Sequence, residues 1–290
     1  MRSILISAAV CLVAAFGHQP VAASETPQLQ YTLTKPAGEG PFPAVVILHD
    51  CSGLGPRSSG APWRWSAELT QHGYVSIWPD SFSPRGHANG VCTDASPPRV
   101  TFDERARDAY AALAYVQSLP FVDARRVAVM GGSHGGSSTL AAIVDSPQNS
   151  SHGAVGFAAA IALYPGCGRS IGGWSVMRSA DPGHPITAYS GVFKPLAPVL
   201  ILIGELDDWT PAEPCRKLAE AAQAAGHPVE IKIYPEAHHS FDNRFPVRYA
   251  AERLNYNSPT GHGATTGGNA EAWADAILQV KGFLAKNLAK

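Results

Sequence analysis

Val127-Ala-Val-Met-Gly-Gly-Ser-His-Gly-Gly136 is the stretch whose reading decides the fold. Val127 to Met130 is an apolar run suited to a buried strand, and Ser137-Ser-Thr-Leu-Ala-Ala-Ile143 has the small and apolar residues of a closely packed helix. Between them, Gly131-Gly132-Ser133-His134-Gly135 makes a turn with a serine at its apex. Gly-x-Ser-x-Gly between a strand and a helix describes a nucleophile elbow. The glycines leave room for a backbone strained enough to lift the hydroxyl above the end of the sheet. Five residues of such common types occur together by chance, so the rest of the chain has to supply a base, an acid and donors for an oxyanion.

Working outward, the same alternation of strand and helix recurs. Residues 29–34 alternate like an edge strand, and Ala44-Val-Val-Ile-Leu48 is a continuous apolar run, as a parallel strand covered on both sides requires. Residues 62–71 predict a helix, 74–78 a strand, 79–98 a long loop and 102–119 a helix stopped by Pro120. Downstream of the elbow, apolar strands are expected at 154–163 and 198–203, and an alternating strand near an edge at 229–234. Helices are expected at 211–225 and 270–288. Residues 169–195, rich in Gly, Ser and Pro, read as an irregular loop, and 256–268 is a Gly/Thr-rich stretch. The predicted class is α/β: one domain with a mostly parallel sheet and helices on both faces. In such a sheet the chemistry belongs at the carboxyl ends of the strands.

Three polar residues stand where predicted strands end: Ser133, Asp207 and His239. A serine hydroxyl is a poor nucleophile near neutral pH. It needs a histidine to take its proton and a carboxylate to hold the imidazole in the right tautomer. Elbow enzymes carry these in the chain order Ser, acid, His, which this chain follows. Asp208 is the rival acid and His238 the neighbouring histidine. The oxyanion donors expected are the backbone N–H groups of His134, opening the helix after the elbow, and Cys51, in the loop after 44–48.

The 290 residues are 45% hydrophobic and 16% charged, with a formal net charge of −1 and a pI near 6.8. That balance argues against nucleic acid or an anionic membrane as partner. The first residues differ from the rest. Arg2, the apolar run Ile4 to Phe16 and Val21-Ala22-Ala23 have the layout of a secretory signal peptide cleaved after Ala23. The expected mature domain is 24–290, secreted or periplasmic, with no membrane attachment after cleavage. It keeps Cys51, Cys92, Cys167 and Cys215 of the five cysteines, in a compartment where disulfides persist. Their spacing matches no zinc pattern. The loops expected at the same end of neighbouring strands favour the pairs Cys51–Cys92 and Cys167–Cys215.

The chain resembles the dienelactone hydrolase family of the α/β-hydrolase fold. The motifs that carry the resemblance are His49-Asp50-x-x-Gly53-Leu54, Asp80-Ser81-Phe82-x-Pro84-Arg85-Gly86, Gly131-Gly-Ser133-His-Gly-Gly136, Tyr164-Pro-Gly-Cys167, Gly204-x-x-Asp207-Asp-x-x-Pro211 and His238-His239-x-Phe241-Asp242. The resemblance implies an ester- or lactone-cleaving enzyme acting on a small molecule, with a Ser or Cys nucleophile, Asp and His, and no metal or organic cofactor. It also implies Arg85 as a binder of a substrate carboxylate, against a loop salt bridge as the alternative. The family's eponymous enzymes use cysteine where Ser133 stands, which points toward a general serine esterase. Two other readings on the same fold are an exported serine peptidase or amidase and a non-catalytic binding protein.

Overall fold

A computed structural model of the chain describes residues 28–93, 99–150 and 156–289. The expected leader, 1–23, lies outside the described residues.

Seven strands form the main sheet: β1 (Tyr31–Thr34), β2 (Phe42–Leu48), β3 (Val75–Pro79), β4 (Val122–Gly132), β5 (Ala159–Leu163), β8 (Val199–Gly204) and β9 (Val229–Tyr234). Their order is β1-β3-β2-β4-β5-β8-β9, parallel throughout except for β1, which runs antiparallel to β3 at one edge. Every residue of β3, β5 and β8 is buried, which requires cover on both faces and explains their unbroken apolar composition. The cover comes from α1 (Ala61–Gln71), α2 (Phe102–Gln117), α3 (His134–Ile143), α5 (Ala212–Ala224) and α6 (Ala270–Asn287), with a one-turn α4 at Pro147–Ser150. Helix α2 starts at a reciprocal cap: Thr101 Oγ1 accepts from the Glu104 amide and Glu104 accepts from the Thr101 amide. Asn269 caps α6 by accepting from the Ala272 amide.

Register decides where the site can form. Leu48 pairs with Gly131, Gly132 with Leu163, Leu163 with Leu202, and Gly204 with Tyr234. The residues that follow these strand ends therefore emerge side by side at the carboxyl end of the sheet. Those residues are His49 to Cys51, Ser133, Tyr164 and Glu205 to Asp207.

Three expectations need correction. Residues 169–195 are not irregular: β6 (Trp174–Arg178) and β7 (Ile186–Gly191) pair antiparallel. A second ribbon, β10 (Arg248–Leu254) with β11 (His262–Thr266), includes most of the Gly/Thr-rich stretch. Both ribbons are short and lie outside the main sheet, so neither has the continuous apolar run that marks a core strand. The strand expected from 154 begins at Ala159, and 151–155 lie outside the described residues. The disulfides Cys51–Cys92 and Cys167–Cys215 are both formed, in the expected pairing.

Candidate active site

The elbow sits where β4 meets α3. Ser133 has φ 54° and ψ −116°, a left-handed-side conformation that a non-glycine residue holds only when its surroundings over-determine it. Here they do. The Ser133 N–H donates to Leu163 O at 2.9 Å, and the Ser133 carbonyl accepts from the Ser137 N–H at 2.8 Å. A side chain at Gly135 would collide with the carbonyl of Leu48, so α3 can lie directly against the end of β2 only with glycine there. A Cβ on Gly132 would stand 2.5 Å from the Tyr164 hydroxyl.

The structure brings Ser133, His239 and Asp207 together. Ser133 Oγ lies 2.8 Å from His239 Nε2, and His239 Nδ1 lies 2.8 Å from Asp207 Oδ2. All three are buried. A carboxylate on Nδ1 places the ring proton there, which leaves Nε2 free to accept from the serine hydroxyl. Asp207 is itself immobilised, because its Oδ1 accepts from the amides of Trp209 and Thr210 at 3.0 and 2.8 Å. Thr210 Oγ1 lies 3.0 Å from Asp207 Oδ2, from His239 Nδ1 and from Tyr164 O, so one hydroxyl touches the acid, the base and the loop after β5.

The rival residues have other partners. Asp208 accepts from the Thr265 amide and hydroxyl, both at 2.8 Å, and so ties the acid loop to β11. His238 turns its Nδ1 to Leu206 O at 3.0 Å. Arg85 does not line the cleft around Ser133: it forms a bidentate pair with buried Asp108, at 2.8 Å for each bond, and donates to Ser81 O. The loop salt bridge, with matching fork geometry, takes the guanidinium that the resemblance offered to a substrate.

The amides expected to face an oxyanion lie on adjoining segments. His134 is the first residue of α3, whose opening N–H groups lack intrahelical acceptors. Cys51 lines the same cleft as Ser133 and His239, and the Cys51–Cys92 disulfide forms part of its wall.

Sequence reasoning quoted Tyr164 and Asp242 as motif positions without giving them a role, and missed the part played by other residues here. Tyr164 stacks edge-on against His239, with ring centres 4.9 Å apart, and its hydroxyl donates to Asp242 Oδ1 at 2.8 Å. Trp65 Nε1 donates to the other oxygen of Asp242, also at 2.8 Å. Burial pushes the Asp242 carboxyl above its ordinary range and the Tyr164 phenol well above its own. The β10–β11 ribbon contributes Arg248 and Arg253 to the cleft lining, together with Arg57, Phe245 and Trp209. Arg253 stacks its guanidinium over Trp209, whose ring lies 4.7 Å from that of His239. The Asp207-x-x-Thr210 spacing, an aspartate ahead of a turn into a helix, was the one available signal for Thr210. Among the described residues no cluster of three or more His, Cys, Asp or Glu could hold a metal ion, and no helix is long and apolar enough to cross a membrane.

The dienelactone hydrolase family pattern matches residues 29–288. A protein of Methylorubrum extorquens that carries the name carboxymethylenebutenolidase is 25% identical over 222 residues, covering 75% of this chain and 69% of its own length. Among solved structures, a dienelactone hydrolase by name from Klebsiella pneumoniae superposes with a TM-score of 0.57 at 19% identity, covering 89% of this chain and 99% of the other. Esterase 2 of Thermogutta terrifontis, solved after phosphorylation by paraoxon, gives a TM-score of 0.58 at 20% identity, covering 89% of this chain and 88% of the other. The match over nearly the whole described chain, on an α/β-hydrolase sheet with this elbow at the carboxyl end of its central strand, makes the protein a member of the dienelactone hydrolase family and an ester-acting hydrolase.

Proposed function

We propose that the protein is an exported serine esterase that cleaves small carboxylic esters or lactones through an acyl-enzyme. The observation that carries this reading is the unbroken relay of two 2.8 Å hydrogen bonds from Ser133 Oγ through His239 to Asp207. Ser133 attacks the ester carbonyl while His239 Nε2 takes its proton, and Asp207 stabilises the imidazolium that forms. The carbonyl oxygen gains negative charge and is held by the amides of Cys51 and His134. Collapse of the tetrahedral adduct expels the alcohol, which receives the proton from His239. Water activated by the same histidine then attacks the acyl-serine and releases the acid.

The three cleft arginines, Arg57, Arg248 and Arg253, favour a substrate carrying an anionic group. The one carboxylate in the lining, Asp50, is already engaged by the hydroxyls of Ser52 and Ser59. The name of the Methylorubrum relative, with its carboxymethylene group, agrees with this. The phosphorylated state of the Thermogutta enzyme supports a nucleophile of the same kind in this fold. Two disulfides support residence of 24–290 in an oxidising compartment.

The test is Ser133→Ala assayed on a short p-nitrophenyl ester and, in parallel, on an aminoacyl p-nitroanilide. The reading expects the wild type to cleave the ester in preference to the amide, and the variant to fold normally with ester turnover abolished. Undiminished turnover by the variant, or preference for the amide, would overturn it.

A further inference from the structure

A buried cation lies directly behind the two segments that carry the proposed oxyanion donors. Arg105, on α2, has no solvent exposure. Among the described residues no carboxylate is hydrogen-bonded to it, and Asp108 and Asp50 offset its charge only at longer range. Its Nη2 donates to His49 O at 2.6 Å, its Nη1 donates to His134 Nδ1 at 2.9 Å, and its Nε has no hydrogen-bond partner among the described residues. A guanidinium removed from water without a bonded carboxylate is costly, so its two bonds across separate segments call for a use of the charge or its geometry. Burial lowers its pKa to about 10, so it stays charged at neutral pH.

The two acceptors have different origins. His49 leaves the end of β2 and lies two residues before Cys51, whereas His134 follows the nucleophile and opens α3. Both imidazoles are held neutral, their pKa values pushed well below the ordinary histidine range by burial and then by Arg105. His49 bonds the Asp50 carbonyl through Nδ1 at 2.8 Å and accepts from the Ser81 amide at Nε2, at 3.2 Å. His134 meets the guanidinium with Nδ1 and so can only accept there. Phe82 fills the space between them, in ring contact with His49 and His134 and with the guanidinium 4.9 Å from its centre.

We infer that Arg105 is a positioning residue for ester hydrolysis: it bridges the His49–Cys51 segment to His134, fixes the spacing of the two oxyanion amides and sets a permanent positive charge behind them. This rests on the serine-esterase reading above. A bridge across the donors matters most when charge develops on the substrate oxygen. Loss of it lowers kcat and weakens tetrahedral adducts while leaving ground-state binding nearly unchanged.

The experiment measures kcat and KM on p-nitrophenyl acetate, inhibition by phenylboronic acid as a tetrahedral mimic, and thermal unfolding, for the wild type, Arg105→Met and Arg105→Lys. Removal of one oxyanion donor outright costs about 10²–10³ in kcat. Misaligning the pair is expected to cost Arg105→Met about 10- to 100-fold in kcat and a similar factor in boronate affinity, with KM within about threefold. Arg105→Lys keeps the charge but cannot fork to both acceptors, and is expected to recover part of the loss. If kcat and boronate affinity of Arg105→Met stay within about threefold of the wild type while only the melting temperature falls, the inference is overturned. Should Arg105→Met not fold, His134→Leu removes one end of the bridge and keeps the backbone N–H. A kcat lowered by about fivefold or more at unchanged KM supports the bridge, and an unchanged kcat refutes it. An inactive wild type, or one unlabelled at Ser133 by an organophosphate, would instead count against the esterase reading itself.

Discussion

The two disulfides close loops of nearly equal size but stand in different relation to the chemistry, so removing each in turn separates stability from activity. The Cys51–Cys92 bridge spans 41 residues and Cys167–Cys215 spans 48. Loop-closure entropy assigns each about 4 kcal/mol, the difference between them being no more than about 0.2 kcal/mol. At roughly 2–4 °C per kcal/mol, both double-alanine variants should melt about 8–16 °C below the wild type. Activity should divide them. Cys51 contributes a proposed oxyanion amide, and its carbonyl accepts from the Val91 N–H at 2.7 Å, next to Gly90, which packs against the Cys51 and Ser52 backbone. Without the bridge Cys51 itself keeps the hydrogen bond from the Val91 N–H to its carbonyl but loses its covalent tie. The other disulfide joins the loop after β5 to α5, where Tyr164 and Asp207 are also held by Asp242, by Thr210 and by the Trp209 amide. Steady-state assays on p-nitrophenyl acetate, well below both transitions, should show kcat about tenfold lower for Cys51→Ala/Cys92→Ala and within about twofold for Cys167→Ala/Cys215→Ala. Equal kcat losses in the two variants, or none in the first, would refute the assignment of Cys51 to the oxyanion site.

Thr210→Val keeps the side-chain shape and deletes the hydroxyl that meets Asp207, His239 and Tyr164 O. It should lower kcat about fivefold and stability by about 1–2 kcal/mol, read from initial rates and denaturant titration. Acid stability should follow the two buried neutral histidines. Because the folded-state values of His49 and His134 lie well below 6.5, their contribution is complete above that pH and is lost as pH falls from 6.5 toward the folded values. The limiting slope is about 2.7 kcal/mol per pH unit for two protons taken up on unfolding. Asp242, raised by burial, acts in the opposite sense: its contribution is full below the ordinary carboxylate value and fades as pH rises through its folded one. Denaturant midpoints measured from pH 7.5 to 4.5 check this, and a flat profile between 6.5 and 5.5 would contradict it.

Much of the fold was legible because the parallel sheet writes itself in unbroken apolar runs. Val199 to Gly204 is buried at every position, and the acid follows it at a fixed offset, as the serine follows β4. The chain order of serine, acid and base then selected Asp207 and His239 from several aspartates and eleven histidines. What escaped was built from residues that are polar or exposed locally and gain meaning only in space. Arg248 and Arg253 lie on β10, where four of seven positions are exposed, so periodicity gives no core signal. Asp242 is an acidic residue in a loop until Tyr164, 78 positions away, and Trp65, 177 positions away, close around it. Arg85 went the other way: a motif position suggested substrate, whereas Asp108, one helix later in the chain, claims both of its terminal nitrogens.

The central claim is that Ser133, driven by His239 and Asp207, becomes the acylated residue. Incubation of the folded protein with a p-nitrophenyl dialkyl phosphate, followed by proteolysis and mass spectrometry, tests it at the atom concerned. The account predicts stoichiometric phosphorylation of the peptide containing Ser133, loss of esterase activity in proportion to labelling, and no label in Ser133→Ala. Labelling at another residue in step with inactivation, or full esterase activity after Ser133 is replaced, would contradict it.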